Sequence, residues 1–78
     1  MNRGNQEAIH ALDLLGRSYV IELRNGERLH FKCQTCEFDE LTGYDEEMNR
    51  RRFLITDINT ARRNGIEYGK FIMDMVAR

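Results

Sequence analysis

Residues 19–33 carry the strongest local pattern in the sequence, because apolar and polar side chains alternate on both sides of an Asn-Gly pair. Alternation with period two is typical of β-strands that are buried on one face. Asn25 and Gly26 both tolerate positive φ angles, which a two-residue type I′ turn requires. The pattern therefore predicts a β-hairpin whose strands cover residues 19–24 and 28–33.

The segments around this hairpin are assigned by spacing and charge. Apolar residues recur at helical spacing between Ala8 and Leu15, which predicts an amphipathic helix over residues 6–15. Residues 37–47 include six acidic residues and no basic one, so we expect a surface connection there. Residues 52–58 are rich in apolar side chains and predict a third strand.

The C-terminal part of the chain allows two interpretations. Its apolar side chains favour a helix over at least residues 67–77, in which Gly69 would cost roughly 1 kcal/mol relative to alanine. The alternative is a second Asn-Gly hairpin, in which the third strand runs on to Arg63 and a fourth strand covers residues 66–68. We prefer the helix and leave residues 59–66 open.

Together these elements predict a single α+β domain over residues 1–78. Its antiparallel sheet has three to four strands and is strongly bent, an Sm/SH3-like open barrel being one such form, and N- and C-terminal helices cover it. A chain of this length buries only about 60% of its unfolded surface, so the core is expected to be thin. The predicted core consists of Ile9, Leu12, Leu15, Ile21, Leu23, Leu29, Phe31, Phe53, Ile55, Ile58, Ile72 and Met75.

Composition limits the classes of protein to which the chain can belong. No apolar run approaches the roughly 20 residues that span a bilayer, and no apolar stretch follows a basic start as in a secretory signal. Two cysteines cannot support a disulfide-dense secreted scaffold. We therefore expect a cytoplasmic protein that does not act at a membrane.

The motif Cys33-Gln-Thr-Cys36 suggests two kinds of chemistry. With His30 it has the spacing of a zinc half-site, to which His10 or Asp39 could add a fourth ligand. In one continuous strand, however, His30 and Cys36 would face one side and Cys33 the other. The acidic residues that follow also disfavour a redox thiolate. We expect structural cysteines, no cofactor and no metal, with His30, Cys33 and Cys36 as the weak metal candidates.

The sequence offers little for catalysis. It has one serine and two histidines, without a glycine-flanked serine elbow or an HExxH pattern. The carboxylates of residues 37–47 would need burial to separate their pKa values for acid and base roles. We therefore do not expect an enzyme.

The functional prediction comes from the charge pattern. Twelve basic residues nearly balance thirteen acidic ones, and most of the basic residues are arginine, whose planar fork suits carboxylate and phosphate groups. We expect a small non-catalytic regulatory, adaptor or inhibitor protein of a bacterium or its mobile elements, which binds a protein partner through a two-signed surface. The predicted contact residues are Asp39, Glu40, Asp45, Glu46, Glu47, Arg50, Arg51, Arg62 and Arg63.

Other interpretations of the charges stay open. The arginine clusters could bind a nucleic-acid backbone, with Tyr19, Phe31 or Tyr68 as stacking platforms, although the net charge of −1 weakens such binding. The acidic and basic runs could instead pair with each other at the surface, where ion pairs contribute little. A homodimer through a sheet edge or through the C-terminal apolar residues would stabilise so thin a core.

Two short runs resemble known families. Residues 51–58, Arg-Arg-Phe-Leu-Ile-Thr-Asp-Ile, resemble the closing strand of WYL-type domains, although the WYL tripeptide itself is absent. Residues 19–29, Tyr-Val-Ile-Glu-Leu-Arg-Asn-Gly-Glu-Arg-Leu, resemble the opening of Sm-like small barrels, which include bacterial inhibitors of the termination factor Rho. The resemblance implies a strongly bent sheet or small open barrel, and it does not assign a family.

Overall fold

The computed structural model describes residues 7–73, and these form one mixed β-sheet of seven strands. The strands are β1 (Glu7–His10), β2 (Ser18–Leu23), β3 (Arg28–Glu37), β4 (Glu40–Asp45), β5 (Arg50–Leu54), β6 (Ile58–Arg63) and β7 (Ile66–Ile72). The first 3₁₀ helix covers Ala11–Leu14 and the second covers Ile55–Asp57. The strand order is β1-β7-β6-β2-β3-β4-β5, and neighbours are antiparallel except for the parallel pair β1 and β7.

The sheet curls because a short link joins two strands that are distant in it. β5 and β6 stand four positions apart in the strand order, which in a flat sheet would separate them by roughly 19 Å. The second 3₁₀ helix is the whole link, and the four steps from Leu54 to Ile58 reach at most about 14 Å. The link is held on both sides, since Ile55 N–H donates to the Asp39 carbonyl (2.7 Å) and Arg24 N–H to the Asp57 carbonyl (2.9 Å).

The inner face of the curled sheet holds the core. Gly43, in the middle of β4, lets the Phe31 ring reach Phe53, whose ring centroid lies 4.7 Å away although β4 separates their strands. The core side chains are Ile9, Ala11, Leu14, Tyr19, Ile21, Leu23, Leu29, Phe31, Cys33, Leu41, Phe53, Ile55, Ile58 and Ala61.

The prediction of an α+β domain with terminal helices and a sheet of three to four antiparallel strands is wrong. Residues 7–14 form β1 and the first 3₁₀ helix, so the inward side chains are Ile9, Ala11 and Leu14, while Leu12 and Leu15 are exposed. The apolar spacing in this segment fits either structure, and pairing with β7 provides β1 with backbone partners that an isolated helix would not need. Of the other predicted core residues, Ile72 is exposed and Met75 lies outside the described residues.

The C-terminal helix is also wrong where the structure describes it, because residues 66–72 form β7; residues 74–77 lie outside the described part. Asn64 and Gly65 have φ angles of 55° and 80°, and Arg63 pairs with Ile66 across them. These are the features of a two-residue type I′ turn. The structure therefore shows the second Asn-Gly hairpin of the alternative interpretation with a longer final strand, but the strand that leads into it begins at Ile58 and does not run on from residue 52.

The hairpin over residues 19–33 is confirmed, with Tyr19 opposite Phe31. Its turn differs from the prediction, since Gly26 has a positive φ of 95° and Asn25 does not. Gly26 N–H donates to the Leu23 carbonyl and Leu23 N–H to the Glu27 carbonyl, which makes a three-residue loop with glycine in the left-handed position.

The acidic segment is not the surface connection that its charge suggested. Residues 40–45 form β4, which lies between β3 and β5, and Leu41 is completely buried in it. The predicted third strand is divided into the end of β5, the second 3₁₀ helix and the start of β6. The sequence did not show the alternating apolar pattern of a half-buried strand here, because the second inward position of β4 is Gly43, which has no apolar side chain.

Candidate interaction surface

Asp45 holds the turn between β4 and β5. Its Oδ1 accepts the backbone N–H groups of Asn49 and Glu47, each at 2.9 Å, and its Oδ2 lies 3.5 Å from Arg51 Nη1. The bond from Asn49 is the largest of several that hold the pKa of this carboxyl below its usual range. Asp45 was predicted to contact a partner, but the structure uses its oxygens within the turn.

Arg51 links the outermost strand β5 to the turn between β2 and β3. Its Nη2 lies 3.0 Å from both carboxylate oxygens of Glu27, and its Nη1 faces Asp45. Hydrogen bonding to Glu27 raises the pKa of the Arg51 guanidinium. This predicted contact residue therefore has its donors committed within the fold.

Exposed ion pairs neutralise further charges of the predicted surface. Arg52 Nε lies 3.2 Å from Glu40 Oε2 across β4 and β5, and Arg62 Nη2 lies 2.6 Å from Glu67 Oε1 across β6 and β7. Such pairs each contribute about 0–1 kcal/mol to stability. The interpretation that the acidic and basic runs pair with each other holds for Asp45 with Arg51 and for Glu40 with Arg52. The partners of Arg51 and Arg62 at Glu27 and Glu67 lie outside the acidic run.

Most of the predicted contact residues fall into two separate groups, and Asp39 and Glu40 lie apart from both, at the turn between β3 and β4. Asp45, Glu46, Glu47, Arg50 and Arg51 surround the turn between β4 and β5, where Glu46 Oε1 accepts the backbone N–H of His30 at 3.2 Å and Glu47 Oε1 accepts Asn49 Nδ2 at 3.4 Å. Arg62 and Arg63 lie on β6, which β2 and β3 separate from β4. Within residues 7–73, no ion pair joins the two groups.

A β-bulge determines where the two cysteines point. Cys33 pairs with Gly43 and Thr35 with Thr42, so Gln34 is left without a partner. After the bulge, Cys36 pairs with the buried Leu41 and packs against the core, as Cys33 does. The prediction that Cys36 faces away from Cys33 is therefore wrong, because the bulge shifts the alternation by one residue.

Both cysteines are free thiols in an environment that disfavours the thiolate. Burial raises the pKa of Cys33 to about 11, and burial together with Asp39 raises the pKa of Cys36. His30, the other weak metal candidate, is exposed on the outer face. Across residues 7–73 no group of three His, Cys, Asp or Glu side chains is placed to hold a metal ion.

The turn between β3 and β4 presents a residue that sequence reasoning did not select. Phe38 is 93% exposed, the largest exposed fraction among the large apolar side chains of the described segment, and its φ is 55°. Its neighbours are Asp39 in the same turn and the paired residues Glu37 and Glu40 on the flanking strands. Asp39 is a common turn residue, but the position with positive φ holds phenylalanine instead of glycine or asparagine, so the sequence signal for this turn was weak.

The described residues contain no helix of the length and apolarity needed to cross a bilayer. Comparisons with protein-family models, curated proteins and solved structures found no match for the chain. The function must therefore be inferred from the surface of the molecule.

Proposed function

We propose that the protein is a non-catalytic regulatory, adaptor or inhibitor protein, and that it binds another protein through an acidic tip consisting of Glu37, Phe38, Asp39 and Glu40. The supporting observation is the exposure of Phe38 in a backbone conformation with φ of 55°. A bulky residue at positive φ is rare and costs free energy. Neither packing nor backbone preference explains a phenylalanine here, whereas aromatic anchors supply much of the binding energy at protein interfaces.

The charges around Phe38 indicate the chemistry of the partner. Glu40 is paired with Arg52, but the carboxylates of Glu37 and Asp39 form no ion pair within residues 7–73. Carboxylates at the rim of an interface steer a basic partner and select against an acidic one. The partner that fits is a protein with an apolar pocket bordered by lysine or arginine.

The acidic tip is held in place before any partner binds. Glu37 and Glu40 pair with each other at the ends of β3 and β4, and Ile55 N–H donates a hydrogen bond to the Asp39 carbonyl in the turn between them. A rigid tip loses little conformational entropy on binding, which favours its use as a contact.

The test places the photo-crosslinking residue p-benzoylphenylalanine at position 38 of the full chain in the native host. We expect one discrete protein adduct, which weakens as salt rises and disappears with Glu37→Lys and Asp39→Lys. The matched control carries the crosslinker at Met48, which is 73% exposed with φ of 67° in the turn at the opposite end of β4. The same adduct from both positions, or none from position 38, would contradict the proposal.

A second variant separates binding from folding. Phe38→Asn is expected to lose the partner while the free energy of unfolding stays equal or rises by about 1 kcal/mol, because asparagine tolerates positive φ. Urea denaturation measures the stability. Unchanged capture by this variant would also count against the acidic tip.

A nucleic-acid ligand is the second candidate, favoured by one row of side chains on the outer face. Tyr44 is half-buried and stands opposite Lys32 on β3 and opposite Arg50 on β5. An aromatic ring between two cations can stack a base while the cations contact phosphates. Of the three consecutive arginines at residues 50–52, Arg51 is paired with Glu27 and Arg52 with Glu40, so this candidate relies on Arg50.

Gel mobility shift with single-stranded RNA at two salt concentrations distinguishes the two candidates. Binding through the Tyr44 row would weaken steeply with salt and with Lys32→Gln and Arg50→Gln. The protein-docking proposal expects no shift.

A further inference from the structure

A cleft of about 550 Å³ opens where the N-terminal segment meets the hairpin of β6 and β7. Its functional groups come from three parts of the chain: Glu7, His10 and Asp13 on the N-terminal side, Arg17 and Tyr19 at the start of β2, and Arg63 and Tyr68 in the hairpin. This volume lies within the range of small-molecule sites. The acidic tip lies elsewhere in the chain, so the inference stands independently of the proposed function.

Two tyrosines form the aromatic part of the cleft. The ring centroids of Tyr19 and Tyr68 lie 6.2 Å apart at an interplanar angle of 66°, an edge-to-face contact. Tyr19 is only 5% exposed, whereas Tyr68 is half-buried and keeps part of its ring accessible. A flat aromatic ligand could therefore pack against Tyr68.

Two arginines converge on the same tyrosine. The Arg63 guanidinium lies 5.9 Å from the centroid of the Tyr19 ring, and Arg17 Nη1 donates to the Asp13 carbonyl at 3.2 Å. Both cations line the cleft together with Tyr19, and their charges oppose the rise in the pKa of Tyr19 that its burial causes. Neither forms an ion pair within residues 7–73, so their remaining donors are available to an anion.

Carboxylates complete the lining. Asp13 and Glu7 both line the cleft, and the charge of Asp13 adds to the rise in the pKa of Tyr19. Carboxylates repel a phosphate but accept hydrogen bonds from sugar hydroxyls. A ligand for this lining must therefore combine an anionic group, an aromatic ring and hydroxyl groups.

We propose that the cleft binds a ribonucleoside monophosphate. Arg17 and Arg63 hold the phosphate, Tyr68 packs against the base, and Asp13 or Glu7 accepts hydrogen bonds from the ribose. A free phosphate would contact only the two arginines. A nucleoside would contact only the tyrosine and the carboxylates.

The test uses the full chain, in which the three tyrosines are replaced by 3-fluorotyrosine. The chain has no tryptophan. Titration with AMP is expected to shift the ¹⁹F resonances of Tyr19 and Tyr68 and to leave that of Tyr44 unchanged, with assignments from Tyr→Phe variants. Adenosine and inorganic phosphate serve as ligand controls and should bind at least about tenfold more weakly. A shift confined to Tyr44, or equal binding of inorganic phosphate, would overturn the proposal.

Calorimetry of matched variants locates the phosphate. Arg17→Gln and Arg63→Gln should each lower the affinity for AMP about tenfold or more, since each removes a charge-assisted contact. Arg28→Gln, on β3 and outside the cleft, should bind as the unaltered protein does. The dispersion of the ¹⁹F resonances shows whether each variant is folded. Full affinity in both cleft variants would overturn the assignment.

Discussion

Gly43 has no side chain, and this allows the backbone of β3 and the ring of Phe31 to lie close to it. A Cβ built there would lie 2.9 Å from Phe31 Cζ and would clash with the carbonyl oxygen of Lys32. The clash with the carbonyl involves backbone and cannot be relieved by turning a side chain. The same close approach accompanies the bulge at Gln34, so one glycine permits both the bulge and the contact of Phe31 with Phe53.

Replacing this glycine should therefore destabilise the protein. We expect Gly43→Ala to lower the free energy of unfolding by about 1–3 kcal/mol, the usual cost of overpacking a core. Urea denaturation measures the change. Thr42→Ala, at the adjacent outward-facing and half-buried position, is the matched control and should cost less than about 1 kcal/mol. Equal stability of both variants would show that β4 has room for a Cβ.

At the scale of elements, the two Asn-Gly pairs form different turns. At residues 25 and 26 only the glycine has positive φ, whereas at residues 64 and 65 both residues do. The first turn therefore needs one left-handed residue, and the second needs two in succession. The second turn is also what makes β6 and β7 a hairpin instead of the start of a helix.

A substitution at the second turn tests this element directly. Nothing lies within 4 Å of a Cβ built at Gly65, so Gly65→Ala changes only the backbone energy at φ of 80°. We expect it to lower the free energy of unfolding by about 1–2 kcal/mol. Asn64→Gly is the control and should be close to neutral, because glycine readily takes positive φ. A helix through this segment would instead be stabilised by Gly65→Ala.

At the scale of the whole molecule, a few polar contacts hold distant parts of the curled sheet together. Arg51 joins β5 to the turn between β2 and β3, and Asp45 both supports Arg51 and organises its own turn. The folded state lowers the pKa of Asp45, so ionisation of this carboxyl favours folding. This contribution is present above the unfolded-state pKa of about 4 and is lost as pH falls through the lower folded-state pKa.

We expect titration of the Asp45 carboxyl to contribute to the pH dependence of the free energy of unfolding. The free energy of unfolding should fall more steeply below about pH 4 in the unaltered protein than in Asp45→Asn, which cannot titrate at this position. At neutral pH the variant should be the less stable of the two, because its neutral amide leaves Arg51 with Glu27 as its one charged partner among the described residues. Urea denaturation across the acid range measures both. Parallel pH profiles would assign the acid sensitivity to other groups.

The candidate site shows why surface function was harder to predict than local structure. Asp45 and Arg51 looked available to a partner because a sequence shows charges without their contacts, and folding commits both to hydrogen bonds with residues as far away as Glu27. Phe38 was not selected as a contact residue, because a sequence shows hydrophobicity without showing whether a side chain is buried. The cleft could not be predicted at all, since its groups come from both ends of the chain.

The sequence by itself determined the hairpin of residues 19–33 and much of the core, because alternation and turn residues act between neighbours in the chain. Only the tertiary structure decided that residues 7–10 and 66–72 are strands, because β1 finds its partner in β7 and β7 is held between β1 and β6. Their apolar spacing was compatible with helices, so the choice rested on backbone hydrogen bonds between segments that are far apart in sequence. The same long-range pairing curls the sheet and thereby determines which charges are paired and which side chains remain at the surface.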